Sequence, residues 1–212
     1  DRTSRGLGDV YKRQVSGLIH SLKTGEGQVV DSAMIDGSLS LMSFFYSLKE
    51  MGHWEDKRES NLLDGFAHFY DTYECKDNKF IAVGSIEPQF YSELLEKLEI
   101  DDKKFLDQYN KELWPELKGL IALKIKSKTR YEWNEIFSES DACVTPVLDM
   151  QEAQDHPHNV SRKAFINIDG FNQPNASPRY SKTKLEIKHN AKEVGVDLDD
   201  ICDEFNISKE AF

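Results

Sequence analysis

The chain has 212 residues, of which 39% are hydrophobic, so it can bury a core and is long enough for one large domain or two small ones. Its formal net charge of −11, from 38 acidic and 27 basic residues, argues against a nucleic-acid-binding protein and against a polybasic membrane-binding patch. No apolar run reaches the roughly 18 residues that a membrane-spanning helix needs, and no stretch resembles a signal peptide. Cys75, Cys143 and Cys202 are odd in number and widely spaced, which favours reduced thiols in a cytoplasmic protein.

The first residues differ in character from those that follow. Residues 1–14, DRTSRGLGDVYKRQ, are polar and rich in arginine and glycine. The string RGLGDVYKRQ resembles adaptor-derived sequence of the kind found at the ends of assembled fragments. We therefore expect residues 1–14 to be foreign to the protein and leave them out of the fold prediction.

Residues 15–58 are expected to form the end of a large domain and a linker. The stretch VSGLIHSLKTGEG is typical of the end of a helix closed by Gly25 and Gly27. A short strand, QVVD, is predicted next. From Ser32 to Met51 apolar residues occupy nearly every face, which predicts a helix buried within a larger body.

Residues 59–168 are expected to form a small α+β domain. FYDTYEC and KFIAVGS flank KDN, a pattern typical of a β-hairpin. Pro88 suits the first position of a helix whose apolar residues recur on one face. The remaining predicted elements are a helix over 112–126, a helix that begins at the capping box TRYE, a strand in ACVTPVL, a capped helix in DMQEAQDH and a strand in AFINI.

Residues 169–212 are expected to form a linker and a helical return to the large domain. The stretch DGFNQPNASPRYSKTK is rich in proline, asparagine and serine, which is typical of a linker. The tail DLDDICDEFNISKEAF predicts a short helix and the start of another that ends abruptly. Since the flanking helices lack an obvious core of their own, we expect a large domain whose first half is missing from the chain.

Common catalytic and phosphate-binding motifs are absent. The sequence contains no GxxxxGK[ST] or GxGxxG phosphate loop and no Gly-x-Ser-x-Gly elbow. His156 and His158 are spaced two residues apart around a proline with no second ligand cluster, which favours a solvated loop over a metal site.

Asp36 stands out because it lies in the first two turns of an otherwise apolar helix. A carboxylate near a helix N-terminus is favoured by a few tenths of a kcal/mol up to about 1 kcal/mol. A buried acid without a partner would cost several kcal/mol, so its surroundings must be polar. A helix-end role and a place in a ligand cleft are equally well supported.

Glu87 lies where an apolar strand leads into the helix that begins at Pro88. It takes the N-cap position of that helix, but glutamate is a poor cap beside Ser, Thr, Asp or Asn. The positive helix end keeps such a carboxylate ionised. It is therefore better suited to hold and polarise a protonated histidine than to act as an acid, although a capping role stays open.

Three stretches, GQVVDSAMIDG, NLLDGFAHFYDTYECKDNKFIAVGSIEPQFY and SDACVTPVLDM, resemble the α-methylacyl-CoA racemases of the family III CoA-transferase (CaiB/BaiF) group. The resemblance covers residues 15–212 and corresponds to the C-terminal portion of the family. It implies an α/β protein with the family III CoA-transferase fold, in which an α+β small domain accompanies part of the large domain.

The resemblance implies an acyl-CoA thioester as the substrate. Such racemases remove a proton from the α-carbon of a 2-methylacyl-CoA and return it to either face through an enolate-like intermediate. Two positioned acid–base groups, each typically worth about 10²–10⁴-fold, move the protons, and no metal or redox cofactor is needed. In the family these groups are a histidine and an aspartate upstream of the equivalent of Val15, and Asp9 is not assigned that role.

The resemblance also implies roles for individual residues. Glu87 matches the glutamate that hydrogen-bonds the catalytic histidine. Asp36 and Tyr70 match positions that line the active-site cleft. Met34 matches part of the apolar surface for the acyl chain, with a core role equally well supported.

Two residues depart from the family pattern, which often has DGGAPFY or DGGAPYY where this chain has DGFAHFY. Gly65 and Phe66 match substrate-binding positions of a loop near the acyl group, and Phe66, which replaces a glycine there, is expected to narrow the pocket. His68 occupies a position that is usually proline, so we do not expect it to be a base.

The resemblance implies an interlocked homodimer in which each active site combines the large domain of one subunit with the small domain of the other. Two further hypotheses stay open. A CoA-transferase would use an upstream aspartate as nucleophile and form acyl-aspartyl and aspartyl-CoA intermediates. Alternatively, the 212 residues form an inactive domain that binds a partner subunit, because both expected bases lie outside the sequence.

Overall fold

The computed structural model describes the backbone of residues 4–208 and the side chains from Lys12 to Ser208. Residues 1–3, the beginning of the expected foreign segment, and residues 209–212 lie outside the described residues. The chain divides into two compact units, Asp1–Val147 and Leu148–Phe212. The boundaries expected at 58 and 168 stay predictions, and the unit boundary falls earlier in the chain than 168.

The first unit contains helices followed by a small α+β body. Its helices are α1 Ser4–Thr24, α2 Met34–Glu50, α3 Pro88–Lys97, α4 Trp114–Ile125 and α5 Arg130–Phe137, with a 3₁₀ helix at Lys103–Leu106. Its strands are β1 Tyr70–Glu74, β2 Phe80–Gly84 and β3 Val144–Pro146. The second unit contains α6 Met150–Asp155, α7 Pro157–Ser161, β4 Phe165–Ile168, β5 Phe171–Pro174 and α8 Leu198–Phe205.

The three strands of the first unit form an antiparallel sheet in the order β1-β2-β3. Tyr73 pairs with Ile81 across the hairpin, and Ile81 pairs with Pro146 on the other side. Alternate residues of β2, Ile81 and Val83, are buried because successive strand side chains point to opposite faces. The hairpin predicted from the sequence is confirmed, and its turn uses Asn78 at φ 58°, a conformation that asparagine tolerates well.

Helices α3, α4 and α5 supply most of the core that packs with the sheet. Leu117, Ile121 and Ile125 recur every fourth residue on α4 and are fully buried, as the 3.6-residue period of a helix requires. Leu94 on α3 and Trp133 on α5 join the same cluster. Burial of this apolar surface is the main force that holds the unit together.

Local signals in the sequence correctly predict where α3 and α5 begin. Pro88 is the first residue of α3, where its missing N–H costs nothing. Thr129 caps α5 by accepting from the Glu132 amide, and the Glu132 carboxylate accepts from the Thr129 amide, which completes the predicted capping box. The Trp133 indole N–H then donates to the Ile125 carbonyl at 2.7 Å and ties α5 to the end of α4.

The N-terminal helices differ from two expectations. Residues 28–31, predicted as a strand, have no regular structure, because their backbone finds no strand partner among the described residues. Helix α2 has the predicted extent, but Gly37 is its buried residue and most of its apolar side chains are exposed. A helix that is apolar on every face is buried only where other elements surround it. Among the described residues α2 packs with α1 and with the Trp54 ring, so its remaining faces stay exposed.

The second unit contains a hairpin that the sequence does not predict. Strands β4 and β5 pair antiparallel, with Asn167 opposite Asn172, so the stretch expected to be a linker begins with a strand. The turn between them is Asp169-Gly170, and both residues have positive φ, the conformation that an Asp-Gly pair favours in tight hairpins. Helix α6 begins with the predicted cap, in which Asp149 accepts from Glu152 and Glu152 accepts from Asp149.

Substitution of two leucines on α4 tests how much burial in the core contributes to the free energy of unfolding. Leu117 is fully buried whereas Leu123, on the same helix, is 74% exposed. We expect Leu117→Ala to lower the free energy of unfolding by about 2–5 kcal/mol and the control Leu123→Ala to change it by less than about 0.5 kcal/mol. Urea unfolding followed by circular dichroism measures both, and similar losses in the two variants would contradict this packing.

Candidate active site

The loop from Asn61 to Tyr70 is organised by one carboxylate. Asp64 accepts hydrogen bonds from the backbone amides of Ser60 and Asn61 at 3.0 and 2.8 Å, and from the Asn61 side-chain amide at 2.8 Å. Burial raises the pKa of Asp64, but these bonds and one from the Phe66 amide outweigh it and hold the pKa below its usual value. The loop therefore has one defined conformation, with an ionised carboxylate at its centre.

A lysine from α4 fixes the following turn. Gly65 has φ +90°, which favours glycine. The Lys118 ammonium donates to the Gly65 carbonyl and forms an ion pair with Asp71 at the start of β1. A Cβ atom at Gly65 would lie 3.5 Å from the nearer Asp71 carboxylate oxygen, so the turn sits directly against this ion pair.

An open groove of about 430 Å³ lies between this loop and the sheet. Gly65 and Tyr70, two of the predicted site residues, line it. The other lining residues come from the same loop, from β1 and β2, and from the region of β3: Asp64, Asp71, Thr72, Ala82, Val83, Gly84, Cys143 and Thr145. The groove therefore has two carboxylates, Asp64 and Asp71, among its lining residues, together with apolar residues of β2.

The connection from β2 to α3 is held by buried hydrogen bonds. Ser85 is fully buried; its amide donates to the Phe69 carbonyl at 3.0 Å and its hydroxyl donates to the Ala142 carbonyl. The Gln108 side-chain amide donates to the Ser85 and Ile86 carbonyls at 3.1 and 2.9 Å. These bonds satisfy backbone groups in a segment that is buried at Ser85 and partly exposed at Ile86, and they fix the backbone that leads to Glu87.

Glu87 occupies the N-cap position of α3, but its side chain is exposed and makes no capping hydrogen bond. Its backbone is extended, with φ −72° and ψ 142°, and its carbonyl accepts from the Tyr91 amide at 3.0 Å. The capping alternative is therefore not what the structure shows. Burial raises the pKa of the Cys143 thiol, which lines the groove, and the negative charge of Glu87 adds to that rise.

His68 is a core residue. It is fully buried, and its Nε2 atom lies 2.7 Å from the Tyr91 hydroxyl. That hydroxyl donates to the Phe105 carbonyl at 3.1 Å, so it accepts from His68, which places the proton on Nε2 and leaves Nδ1 as an acceptor without a partner among the described residues. Burial lowers the pKa of His68 from 6.5 to about 4, so the ring is neutral near pH 7.

The other predicted site residues lie outside the groove. Phe66 is partly buried and packs edge-on against Trp114, with ring centroids 5.5 Å apart, so its ring belongs to the core contacts of the loop. Met34 and Asp36 lie exposed in the first two turns of α2. The structure thus brings Gly65 and Tyr70 together in the groove, whereas Glu87, Phe66, Met34 and Asp36 are not lining residues.

Within the part of the chain that the structure describes, no group of three or more His, Cys, Asp or Glu side chains is placed to hold a metal ion. His156 accepts from the His158 amide at 3.3 Å and so acts as a helix cap. None of the described helices is both long and apolar enough to cross a membrane.

Several residues that build the site were not predicted from the sequence. The Asp64-Gly65 pair is a local turn signal, but it does not indicate that the Asp64 carboxylate accepts from the amides before it. Lys118 and Gln108 have none, since they lie 53 and about 22 residues from their hydrogen-bond partners in the loop and the β2–α3 connection.

Comparisons with known proteins identify relatives of this architecture. The family model described as CoA-transferase family III matches residues 15–197. Alpha-methylacyl-CoA racemase from Mus musculus is 40% identical over 199 residues, which cover 92% of this chain and 52% of the relative. The enzyme of the same name from Homo sapiens is 37% identical over 201 residues, with 92% and 52% covered. The chain thus spans about half the length of the curated relatives it matches.

A solved structure has the same fold. The CaiB/BaiF family protein from Brucella suis superimposes with a TM-score of 0.71 at 17% identity, and the match covers 94% of this chain and 53% of that chain. At this identity the likeness speaks for the fold alone. Together with the mixed α/β architecture, it confirms the fold class expected from the sequence.

The buried His68 should make stability depend on pH. The unfolded chain binds a proton at His68 below pH 6.5, whereas the folded chain does so below a pKa of about 4. The free energy of unfolding should therefore fall by about 3 kcal/mol as the pH drops through this window. Chemical denaturation at pH 7 and at pH 4.5 measures most of that fall.

Two histidine variants isolate this contribution. His68→Leu should lose much of the pH dependence, because it removes the titrating ring while the Tyr91 hydroxyl still donates to Phe105. His53 is exposed, so His53→Leu should retain the dependence of the parent chain. An unchanged pH dependence in His68→Leu would contradict the assignment.

Proposed function

This chain belongs to CoA-transferase family III, and on that basis we propose that it serves the racemisation of a 2-methylacyl-CoA thioester. The proposal takes its substrate class from relatives named alpha-methylacyl-CoA racemase. The reaction is removal of the proton at the α-carbon and its return to either face. The thioester stabilises the enolate-like intermediate, so the proposed chemistry requires neither a metal nor a redox cofactor.

The observation that carries the proposal is the setting of Glu87. Its backbone follows a segment fixed by Ser85 and Gln108, while its carboxylate is exposed and makes no hydrogen bond to its own helix. A carboxylate held in place by its backbone, with its oxygens available, suits a group that receives a hydrogen bond from another residue. In the proposal that residue is a histidine base, oriented and charge-stabilised by Glu87.

The proposal places the histidine outside these 212 residues, upstream of the equivalent of Val15. Within the chain, His68 cannot take the role, because it is fully buried and hydrogen-bonded to Tyr91. The second base, an aspartate, is likewise assigned to the upstream segment. The 212 residues alone are then expected to be inactive.

Further parts of the proposal concern binding. We assign Gly65 and Tyr70 to the wall of the acyl-CoA cleft, because both line the groove beside the Asp64 loop. Asp36 and Met34 are assigned to the same cleft, with Met34 on its apolar side, and Phe66 is assigned to the loop that narrows the cleft, where its ring packs against Trp114. The first two are exposed on α2, where a second subunit or further protein can meet them. The proposal also includes an interlocked homodimer and a location in the cytoplasm.

Exchange at the α-carbon is the decisive experiment for this function. The 212-residue chain, and the chain extended upstream to include the histidine-bearing segment, are incubated with a 2-methylacyl-CoA in D₂O. We expect deuterium at the α-carbon with the extended chain and at the buffer rate with the 212 residues. CoA transfer to an added carboxylate without α-exchange would establish the transferase alternative, and exchange by the 212 residues alone would overturn the assignment of the bases.

The role of Glu87 has a matched test in the extended chain. Glu87→Gln should lower the exchange rate by about 10²-fold or more, because an amide cannot stabilise the protonated histidine. Binding of the CoA ester should remain within about twofold, since no substrate contact is assigned to Glu87. Glu96 is exposed two turns later on α3, so Glu96→Gln is the control and should leave both quantities unchanged. Equal exchange rates for Glu87→Gln and the parent would disprove the role.

A further inference from the structure

A second groove, outside the candidate active site, lies within the unit Leu148–Phe212. It has a volume of about 640 Å³, within the range of about 300–1,000 Å³ that is usual for small-molecule sites. Its lining residues come from three stretches of the chain, 162–166, 175–180 and 184–187. The groove is therefore formed by tertiary structure and does not belong to a single loop.

Hydrogen bonds join the first two stretches and tie the residue Asn190, just past the third, to the β4–β5 hairpin. Asn175 donates from its side chain to the Lys163 carbonyl at 3.0 Å, and its amide donates to the Ala164 carbonyl at 2.8 Å. Asn190, just past the third stretch, donates to the Ile168 carbonyl at 2.6 Å and accepts from Gln173 at 3.2 Å. The β4–β5 hairpin thus leads directly from the first stretch to the second, and Asn190 bonds to it just past the third.

The charges around this groove are unusual for the chain. Four cationic side chains, Arg162, Lys163, Arg179 and Lys184, line it, against the single carboxylate of Glu186. Within the described residues none of the four forms an ion pair, although the whole sequence carries a net charge of −11. Several lysines elsewhere are paired with carboxylates, among them Lys104, Lys111, Lys124, Lys126 and Lys192.

Unpaired cations that converge on one concave surface repel one another, and an anion in the groove relieves that repulsion. Arginine binds phosphate through two parallel hydrogen bonds, and lysine binds it as a point charge. The apolar side chains of Ile166, Leu185 and Ile187 offer a surface for an uncharged organic part of the same ligand. These features together match a phosphate ester more closely than an inorganic ion.

We propose that this groove binds a soluble organic phosphate carrying at least two negative charges, with Arg162 and Arg179 as its principal phosphate contacts. This site is separate from the proposed racemase function and does not rest on it. Lys163 and Lys184 add long-range attraction, and binding therefore weakens as salt screens the charges.

Calorimetric titration of the 212-residue chain with adenosine 3′,5′-bisphosphate tests the site, with adenosine as the uncharged comparison. We expect saturable binding of the bisphosphate that weakens between about 50 and about 200 mM NaCl, and none of adenosine. The double variant Arg162→Gln/Arg179→Gln should bind at least about tenfold more weakly, because two charge-assisted contacts are lost.

Two lysines of the same region provide the matched control. Lys182 and Lys188 are exposed and flank the third stretch but do not line the groove. Lys182→Gln/Lys188→Gln removes the same charge and should leave the affinity within about twofold. Equal weakening in both double variants, or no saturable binding by the parent chain, would overturn the proposal.

A sedimentation experiment with lipid vesicles tests whether the bound phosphate belongs to a soluble molecule or to a lipid headgroup. Phosphatidylcholine vesicles with and without phosphatidic acid are sedimented with the chain. Binding of the bisphosphate without co-sedimentation supports a soluble ligand. Co-sedimentation that requires phosphatidic acid and is lost in the arginine double variant, with no binding of the bisphosphate, would replace the soluble ligand by a lipid headgroup.

Discussion

The candidate site depends on how the chain satisfies backbone polar groups between β2 and α3 without water. Ser85 is fully buried there, and an unpaired buried carbonyl or amide would cost about 1–3 kcal/mol. The Ser85 hydroxyl donates a hydrogen bond to the Ala142 carbonyl, and the Gln108 side-chain amide donates to the carbonyls of Ser85 and Ile86. These hydrogen bonds connect the end of β2 with the residues before β3 and with the segment before α4. Glu87 follows directly in the chain, at the start of α3.

The loop and the sheet that line the groove beside Gly65 are stabilised by different kinds of interaction. On the loop side, charge is neutralised locally, because amide donors surround Asp64 and Lys118 pairs with Asp71 where the loop enters β1. On the sheet side, β2 is held by strand pairing and by apolar burial of Ile81 and Val83. Because Lys118 comes from α4, the helix that forms the core also sets the position of the site loop.

The sequence predicts the features that depend on neighbours along the chain. The capping boxes at Thr129 and Asp149, the start of α3 at Pro88 and the first hairpin all follow from local signals. The strand proposed at 28–31 is wrong because a strand needs a partner, and an apolar run cannot show whether one exists. The pairing of Lys118 with the Gly65 turn joins residues more than 50 positions apart, so no local pattern reveals it.

The same distinction between local and distant causes explains why Glu87 could be singled out from the sequence. A glutamate at a position that favours Ser, Thr, Asp or Asn conflicts with the local helix signal, and the structure shows that it makes no cap. Such a conflict costs the helix up to about 1–2 kcal/mol of the stability that a good cap supplies. Helices α5 and α6 have complete capping boxes, but α2 and α4 begin at Ala33 and Leu113 without a side-chain cap, so an uncapped start is not unique to α3. What distinguishes Glu87 is a carboxylate left exposed just after a segment fixed by buried hydrogen bonds, which favours a role outside the helix.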